Sequence, residues 1–155
     1  EKGIATRYMG DRLPNVRQLT HTIEALELEP ASLDAALFVM SYHDLYWRPA
    51  DGSWPPTDPA LLLATLPAAL KPGGVIVVQD HVAAPGGDPA EVVDGLHRID
   101  PAVVKADFAK AGFTLDGESD VLAHPDDTHT IMVFDEAIRG RTDQFLFRFL
   151  KPVKE

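Results

Sequence analysis

Leu70-Lys71-Pro72-Gly73-Gly74-Val75-Ile76-Val77-Val78-Gln79-Asp80-His81 is the stretch that decides the fold. Lys-Pro-Gly-Gly is a strong helix stop, because proline lacks a donor and glycine takes the left-handed conformation at no steric cost. Residues 75–78 (VIVV) then form a short, wholly apolar run, which reads as a buried strand. A carboxylate and an imidazole follow immediately.

Upstream, residues 33–40 (LDAALFVM) are a second nearly unbroken apolar run. The lack of alternation predicts a strand buried on both faces, as in a parallel sheet. It too runs straight into polar and aromatic residues: Ser41, Tyr42, His43, Asp44, Leu45, Tyr46 and Trp47. Between the two runs lie a Pro-rich loop, residues 48–57, and a helix announced by Asp58-Pro59, an N-cap followed by an N1 proline. Leu62, Leu66 and Leu70 predict its buried face, and Pro67 predicts a kink.

Downstream, residues 84–88 (APGGD) are a turn, and Asp88 with Glu91 has the form of a capping box for a helix through Leu96. Asp100-Pro101 starts another helix, with Val104, Phe108 and Ala111 on one face and Gly112 as its stop. Residues 114–122 read as a strand. Residues 124–141 form a long connection, and Phe145, Phe147 and Phe149 alternate as in a last strand. Near the N-terminus, residues 15–20 (NVRQLT) predict a short strand and residues 22–28 a weak helix. Alternating strands and helices argue for an α/β domain with a mostly parallel sheet.

The chain has 155 residues, enough for one domain, with 45% hydrophobic and 25% charged residues. A formal net charge of −10 without a concentrated basic patch argues against a nucleic-acid or anionic-membrane partner. No apolar run approaches the roughly 18 residues of a membrane helix. The absence of cysteine excludes disulfides, thiolate zinc sites and cysteine nucleophiles. It leaves cytoplasm and periplasm open. Neither a phosphate-binding glycine loop, a G-x-S-x-G elbow nor an H-E-x-x-H pair occurs.

In parallel α/β sheets ligands bind beyond the carboxyl ends of the strands. Two clusters therefore meet at one rim: Tyr42, His43 and Asp44 after the first strand, and Asp80 and His81 after the second. A histidine beside a carboxylate can move a proton near neutrality. The same residue types, with His97, also suit a metal-dependent hydrolase or lyase. The alternative is that the carboxylates cap turns and the histidines satisfy backbone groups. His97 and Arg98 precede a helix start, a place for a substrate carboxylate, unless Asp100 is only a cap and Arg98 a surface charge. Tyr46, Trp47 and Trp54 either wall an apolar substrate pocket or lid the core. His124 and His129, with Asp126 and Asp127, sit in the long connection.

The order of strand, Tyr-His-Asp, helix, Leu-Lys-Pro-Gly-Gly, strand, Asp-His resembles the second half of a class I S-adenosylmethionine-dependent methyltransferase. Residues 42–47 (YHDLYW), 96–100 (LHRID) and 138–145 (IRGRTDQF) together resemble a family of predicted bacterial methyltransferases, from about Leu13 to Pro152. The resemblance implies an incomplete Rossmann-like fold whose complete form has strand order 3-2-1-4-5-7-6, with the last strand antiparallel. Residues 15–20 would match the third strand, 33–40 the fourth, 75–78 the fifth, 114–122 the sixth and 145–150 the seventh. It further implies S-adenosylmethionine as cofactor, with Thr20, His21 and Thr22 near its adenine and Ser41 and Tyr42 near its methionine end. His43, Asp44 and His81 are then the candidate catalytic residues. Tyr46, Trp47, Asp80, His97 and Arg98 are candidates for the small-molecule substrate. No metal is expected.

The glycine-rich loop and acidic residue that hold the cofactor in that family have no counterpart between Glu1-Lys2-Gly3 and residue 15. The expectation is a C-terminal portion of such a domain, inactive alone. Residues 33–40 would then have an unpaired apolar edge, which invites association. Residues 15–20 moving into the gap, or a second chain, are expected to cover it. A non-catalytic dimerising or partner-binding half-domain is the competing reading.

Overall fold

The computed structural model describes residues 6–7 and 9–151. The Glu1-Lys2-Gly3 opening and Pro152 lie outside the described residues. Four strands, β1 (Leu33–Val39), β2 (Leu70–His81), β3 (Thr114–Ser119) and β4 (Gln144–Leu150), form one sheet in the order β1-β2-β4-β3. β1 and β2 are parallel, and β4 runs antiparallel to both of its neighbours. This is the 4-5-7-6 part of the expected order, including the reversed last strand. Three helices with both ends among the described residues are α1 (Pro59–Ala69), α2 (Pro89–Leu96) and α3 (Pro101–Lys110).

The starts of these three helices follow one local rule. Asp58, Asp88 and Asp100 are N-caps whose carboxylates accept from Ala60, Ala90 and Ala102 backbone N–H groups, each with proline at N1. α1 continues two residues past Pro67, and its buried residues are Pro59, Leu63, Leu66 and Ala69. Leu70 already belongs to β2, so the buried face is rotated from the one read off Leu62, Leu66 and Leu70. Gly73 takes φ 76°, and a Cβ on Gly74 would sit 2.9 Å from the Lys71 carbonyl oxygen. The Pro-Gly-Gly turn is thus absorbed as a bulge. Leu33 pairs with Leu70 and Ala35 with Val75, three extra residues being looped out on β2.

The core lies on one face of the sheet. Ile76, Val78, Phe147 and Phe149 pack with Leu63 and Leu66 of α1 and Val104 and Phe108 of α3. Phe108 stacks on Phe149 at 4.2 Å and 9°. Alternation puts Phe38 on this face and Leu37 and Val39 on the other. Leu37 is 67% and Val39 51% exposed.

Several expectations fail here. Residues 15–20 form no strand and do not enter the gap beside β1. Residues 22–28 form only a 3-10 turn, Ile23–Ala25, with no buried residue to anchor a helix. β1 is not buried on both faces, because among the described residues nothing covers its second face and its outer edge has no partner. The described sheet therefore has four of the five expected strands. β3 ends at Ser119, three residues short, where Asp120 begins a turn. Among the described residues no helix is long and apolar enough to cross a membrane.

Candidate active site at the ends of β1 and β2

β1 ends at Val39. Met40, at φ 48°, turns the chain out of the sheet, and a 3-10 turn follows, His43–Tyr46. β2 ends in Asp80 and His81. Parallel pairing brings these ends together, as the strand-end rule requires. The His43 ring Nδ1 lies 2.7 Å from Asp80 Oδ1, and the His43 backbone N–H donates to Asp80 Oδ2 at 2.9 Å. Asp80 is fully buried and His43 is 4% exposed. A buried ionised carboxylate requires donors, so Nδ1 carries the proton toward Asp80. The other ring nitrogen, Nε2, lies 3.3 Å from Asp44 Oδ1, and the Asp44 side chain is 36% exposed.

Burial pulls the His43 pKa down, but the Asp80 hydrogen bond, the Asp80 charge and the Asp44 charge outweigh it, so the net shift is upward. Asp44 is also shifted upward, chiefly by burial, against the pull of His43. When the ring is protonated, Nε2 and Asp44 form an ion pair at 3.3 Å. The ordered line Asp80–His43–Asp44 leads from the core to solvent, and its open end is Asp44.

His81 lies beside this line: its backbone N–H donates to Asp80 Oδ1 at 2.8 Å, and its ring centroid is 6.1 Å from that of His43. Its Nδ1 is 2.8 Å from Thr142 Oγ1, and burial lowers its pKa, so the neutral ring is favoured. His97, the left-handed C-cap of α2 at φ 52°, packs its ring 5.6 Å from His43 and 5.4 Å from Trp47. Its Nδ1 is buried without a hydrogen-bond partner. Its pKa is lowered, first by burial and then by His43.

The other sequence candidates are placed as follows. Ser41 is exposed beside the rim. Tyr42 is fully buried, and its hydroxyl donates to Asp107 Oδ2 at 2.8 Å. Tyr46 donates to the same oxygen at 2.6 Å and faces a cleft of about 510 Å³ with Asp58, Leu63 and Lys110. Tyr46 therefore turns away from Trp47, whose indole N–H donates to Asp94 at 3.2 Å. Thr20, His21 and Thr22 are exposed in irregular chain. The structure does not bring them into contact with the His43 cluster.

Arg98 is neither a surface charge nor an open anion site. It is fully buried, and its guanidinium donates to Asp127 at 2.8 and 3.2 Å and to the carbonyls of Ile131 and Val82 at 3.0 Å each. Asp127 also accepts from the backbone N–H groups of His129 and Asp143. Burial alone would raise the Asp127 pKa. These backbone donors and Arg98 hold it below the usual carboxylate range. This clamp ties the long connection to the site. His129 pairs with Asp143 at 2.9 Å, and the His124 backbone N–H donates to Asp143. Among the described residues no three His, Asp or Glu side chains are placed to hold a metal ion.

Sequence reasoning missed Asp107, Thr142 and Phe134. Asp107 lies on α3, 61 residues from its partner Tyr46, and nothing local marks it. Phe134 packs 5.0 Å from the His97 ring from within a segment without periodicity.

No protein-family model and no curated protein matches the chain. Solved structures do. A SAM-dependent methyltransferase from Aquifex aeolicus is similar over 90% of this chain and 57% of its own, with TM-score 0.57 and 15% identity. The cyclase SpnF is similar over 97% and 62%, with TM-score 0.60 and 16% identity. The Burkholderia thailandensis 1,6-didemethyltoxoflavin-N1-methyltransferase, solved with bound S-adenosylhomocysteine, is similar over 98% and 56%, with TM-score 0.53 and 15% identity. The chain spans about three fifths of the length of the first of these structures. The fold is the Rossmann-like fold of class I SAM-dependent methyltransferases, represented by its β1-β2-β4-β3 part.

Proposed function

We propose that this chain is the acceptor-side portion of a SAM-dependent methyltransferase. The observation that carries the reading is the buried Asp80–His43 pair, with Asp44 at its open end, at the carboxyl ends of two parallel strands of this fold. Fold alone does not decide the reaction, since one of the similar structures is a cyclase. The proton-holding line is what favours transfer to an acceptor that must lose a proton.

When bound, S-adenosylmethionine supplies an electrophilic methyl group on a sulfonium. Ser41, exposed at the end of β1, and the backbone turn at Met40 fit the edge of such a group. Tyr42 fits it only through its backbone, because its hydroxyl is committed to Asp107. Asp44 accepts the acceptor's proton, His43 shares it through Nε2, and Asp80 holds the imidazole in the required tautomer. The wall of His97 and Trp47 lowers the local dielectric and strengthens these interactions. Most of the rate enhancement comes from alignment and desolvation.

The test is calorimetry with S-adenosylhomocysteine, on this chain and on a version preceded by a glycine-rich first half of such a domain. Binding by the extended version is expected. Its failure to bind removes the methyltransferase reading.

A second reading has its own observation: the exposed outer edge and face of β1, with Leu37 and Val39 in solvent. On it the chain is a non-catalytic half-domain that associates through β1. Absence of turnover in an extended version that binds cofactor, together with a stable dimer, would favour this reading.

A further inference from the structure

Four segments distant in sequence bring aromatic rings into one stripe beside the His43 line. Trp54 comes from the Pro-rich loop, Trp47 from the 3-10 turn, His97 from the end of α2 and Phe134 from the long connection. Successive ring centroids are 5.6 Å (Trp54–Trp47), 5.4 Å (Trp47–His97) and 5.0 Å (His97–Phe134). Core packing does not account for this stripe. Trp54 is 40% and Phe134 55% exposed, and none of the four residues belongs to the core cluster. The Val133 backbone N–H donates to the Leu96 carbonyl, which holds Phe134 against the α2 end despite its exposure.

Two carboxylates flank the stripe. Asp44 and Asp94 both act on the His97 ring, and Trp47 is bonded to Asp94. Within the His43 line, two carboxylates face one imidazole. Two guanidinium groups adjoin these segments, one neutralised by a carboxylate and one with its donors taken up by carbonyls. Arg98 is paired with Asp127, and Arg48 donates to the carbonyls of Leu45, Trp47 and Thr57. An anionic ligand with its charge toward this side would meet Asp44 and Asp94, whereas a cation over an aromatic face is attracted by the ring quadrupole.

We propose that the Trp54–Trp47–His97–Phe134 stripe binds a small aromatic amine, its ring on the stripe and its ammonium group toward Asp44 and Asp94. This rests on the methyltransferase reading only in making the amine the acceptor. The binding itself requires no cofactor.

The chain contains two tryptophans, both in the stripe, so tryptophan emission reads this site alone. The experiment titrates the full chain with protonated phenethylamine, neutral phenethyl alcohol and anionic phenylacetate. The amine is expected to change the emission saturably, and the other two to bind about tenfold more weakly or less, the ratio set by one cation–ring contact and one carboxylate. Phe134→Ala and Asp44→Asn should each weaken the amine about threefold or more while circular dichroism stays unchanged. Equal or tighter binding of phenylacetate or the alcohol overturns the proposal, as does the absence of saturation with all three. Because the titration contains no cofactor, its result is independent of S-adenosylhomocysteine binding by the extended domain. Either can fail without the other.

Discussion

Asp80 holds His43 at two points, accepting from its backbone N–H at 2.9 Å and facing its ring Nδ1 at 2.7 Å. One buried carboxylate therefore fixes the position of the imidazole and contributes most to favouring its protonated form. Asp80→Asn should lower the His43 pKa, because the charge that favours the imidazolium is gone while burial still opposes it. A proton-detected titration of the ring measures this. It should also lower stability by about 1–3 kcal/mol, the cost of a mismatched buried hydrogen bond. An unchanged His43 titration would show that Asp80 does not govern the ring.

The histidines give stability opposite slopes on the two sides of their ordinary pKa, about 6.5. His43 is shifted up on folding, so its contribution is full below that value and is lost as pH rises through its folded pKa. His81 and His97 are shifted down, so theirs is full above it and is lost as pH falls through their folded values. Urea midpoints should therefore fall on both sides of a maximum between the two ranges. In His43→Gln the loss on the alkaline side should disappear.

Arg98 and Asp127 form a buried ion pair that fastens the long connection to the site. Arg98→Ala should cost about 3–5 kcal/mol, because it leaves a buried carboxylate unpaired. The Arg98→Met/Asp127→Leu double variant should recover part of that loss, and urea denaturation measures both. A loss under 1 kcal/mol on the single change, the usual value of a surface pair, would contradict the clamp.

Tyr42 and Tyr46 both donate to one oxygen of Asp107. Burial first, then Asp107, pushes both hydroxyl pKa values upward, so both stay protonated donors. Asp107→Leu should destabilise by about 1–3 kcal/mol by stranding the buried Tyr42 hydroxyl, and adding Tyr42→Phe should restore much of it. Additive losses in the double variant would argue against the shared oxygen as the cause.

The outer face of β1 makes a prediction about association. Leu37→Lys and Val39→Lys replace exposed side chains, so stability should change by only about 0.5 kcal/mol. Sedimentation velocity should show the parent chain associating as concentration rises and the double variant remaining monomeric. A parent chain that stays monomeric throughout would remove the edge as an interface.

Local rules carried most of the fold. Asp58-Pro59 and Asp100-Pro101 marked the starts of α1 and α3, the Asp88/Glu91 capping box that of α2, the Phe145-Phe147-Phe149 alternation marked β4, and the Lys-Pro-Gly-Gly turn marked the entry to β2. Those signals depend on neighbours within four residues. What failed depended on partners. Residues 15–20 have strand-like composition but no strand to pair with, and the apolar run of β1 specifies burial that the described residues provide on one face only. In the site, the meeting of His43 with Asp80 followed from parallel strand ends. The burial of Arg98 and Tyr42 did not, because it depends on Asp127 and Asp107, 29 and 65 residues away.

The position of β4 has a kinetic consequence. It is last in sequence but lies between β2 and β3, so β3 has no sheet neighbour until β4 arrives. During synthesis the sheet cannot extend beyond the β1-β2 pair before residue 150 has emerged, and Phe108 waits for Phe149 to stack upon it. The final closure is then a long-range event, and loop-closure entropy makes such events slow. Until then the apolar strand β2 has an open edge toward β4, and chaperone protection would matter most in that interval.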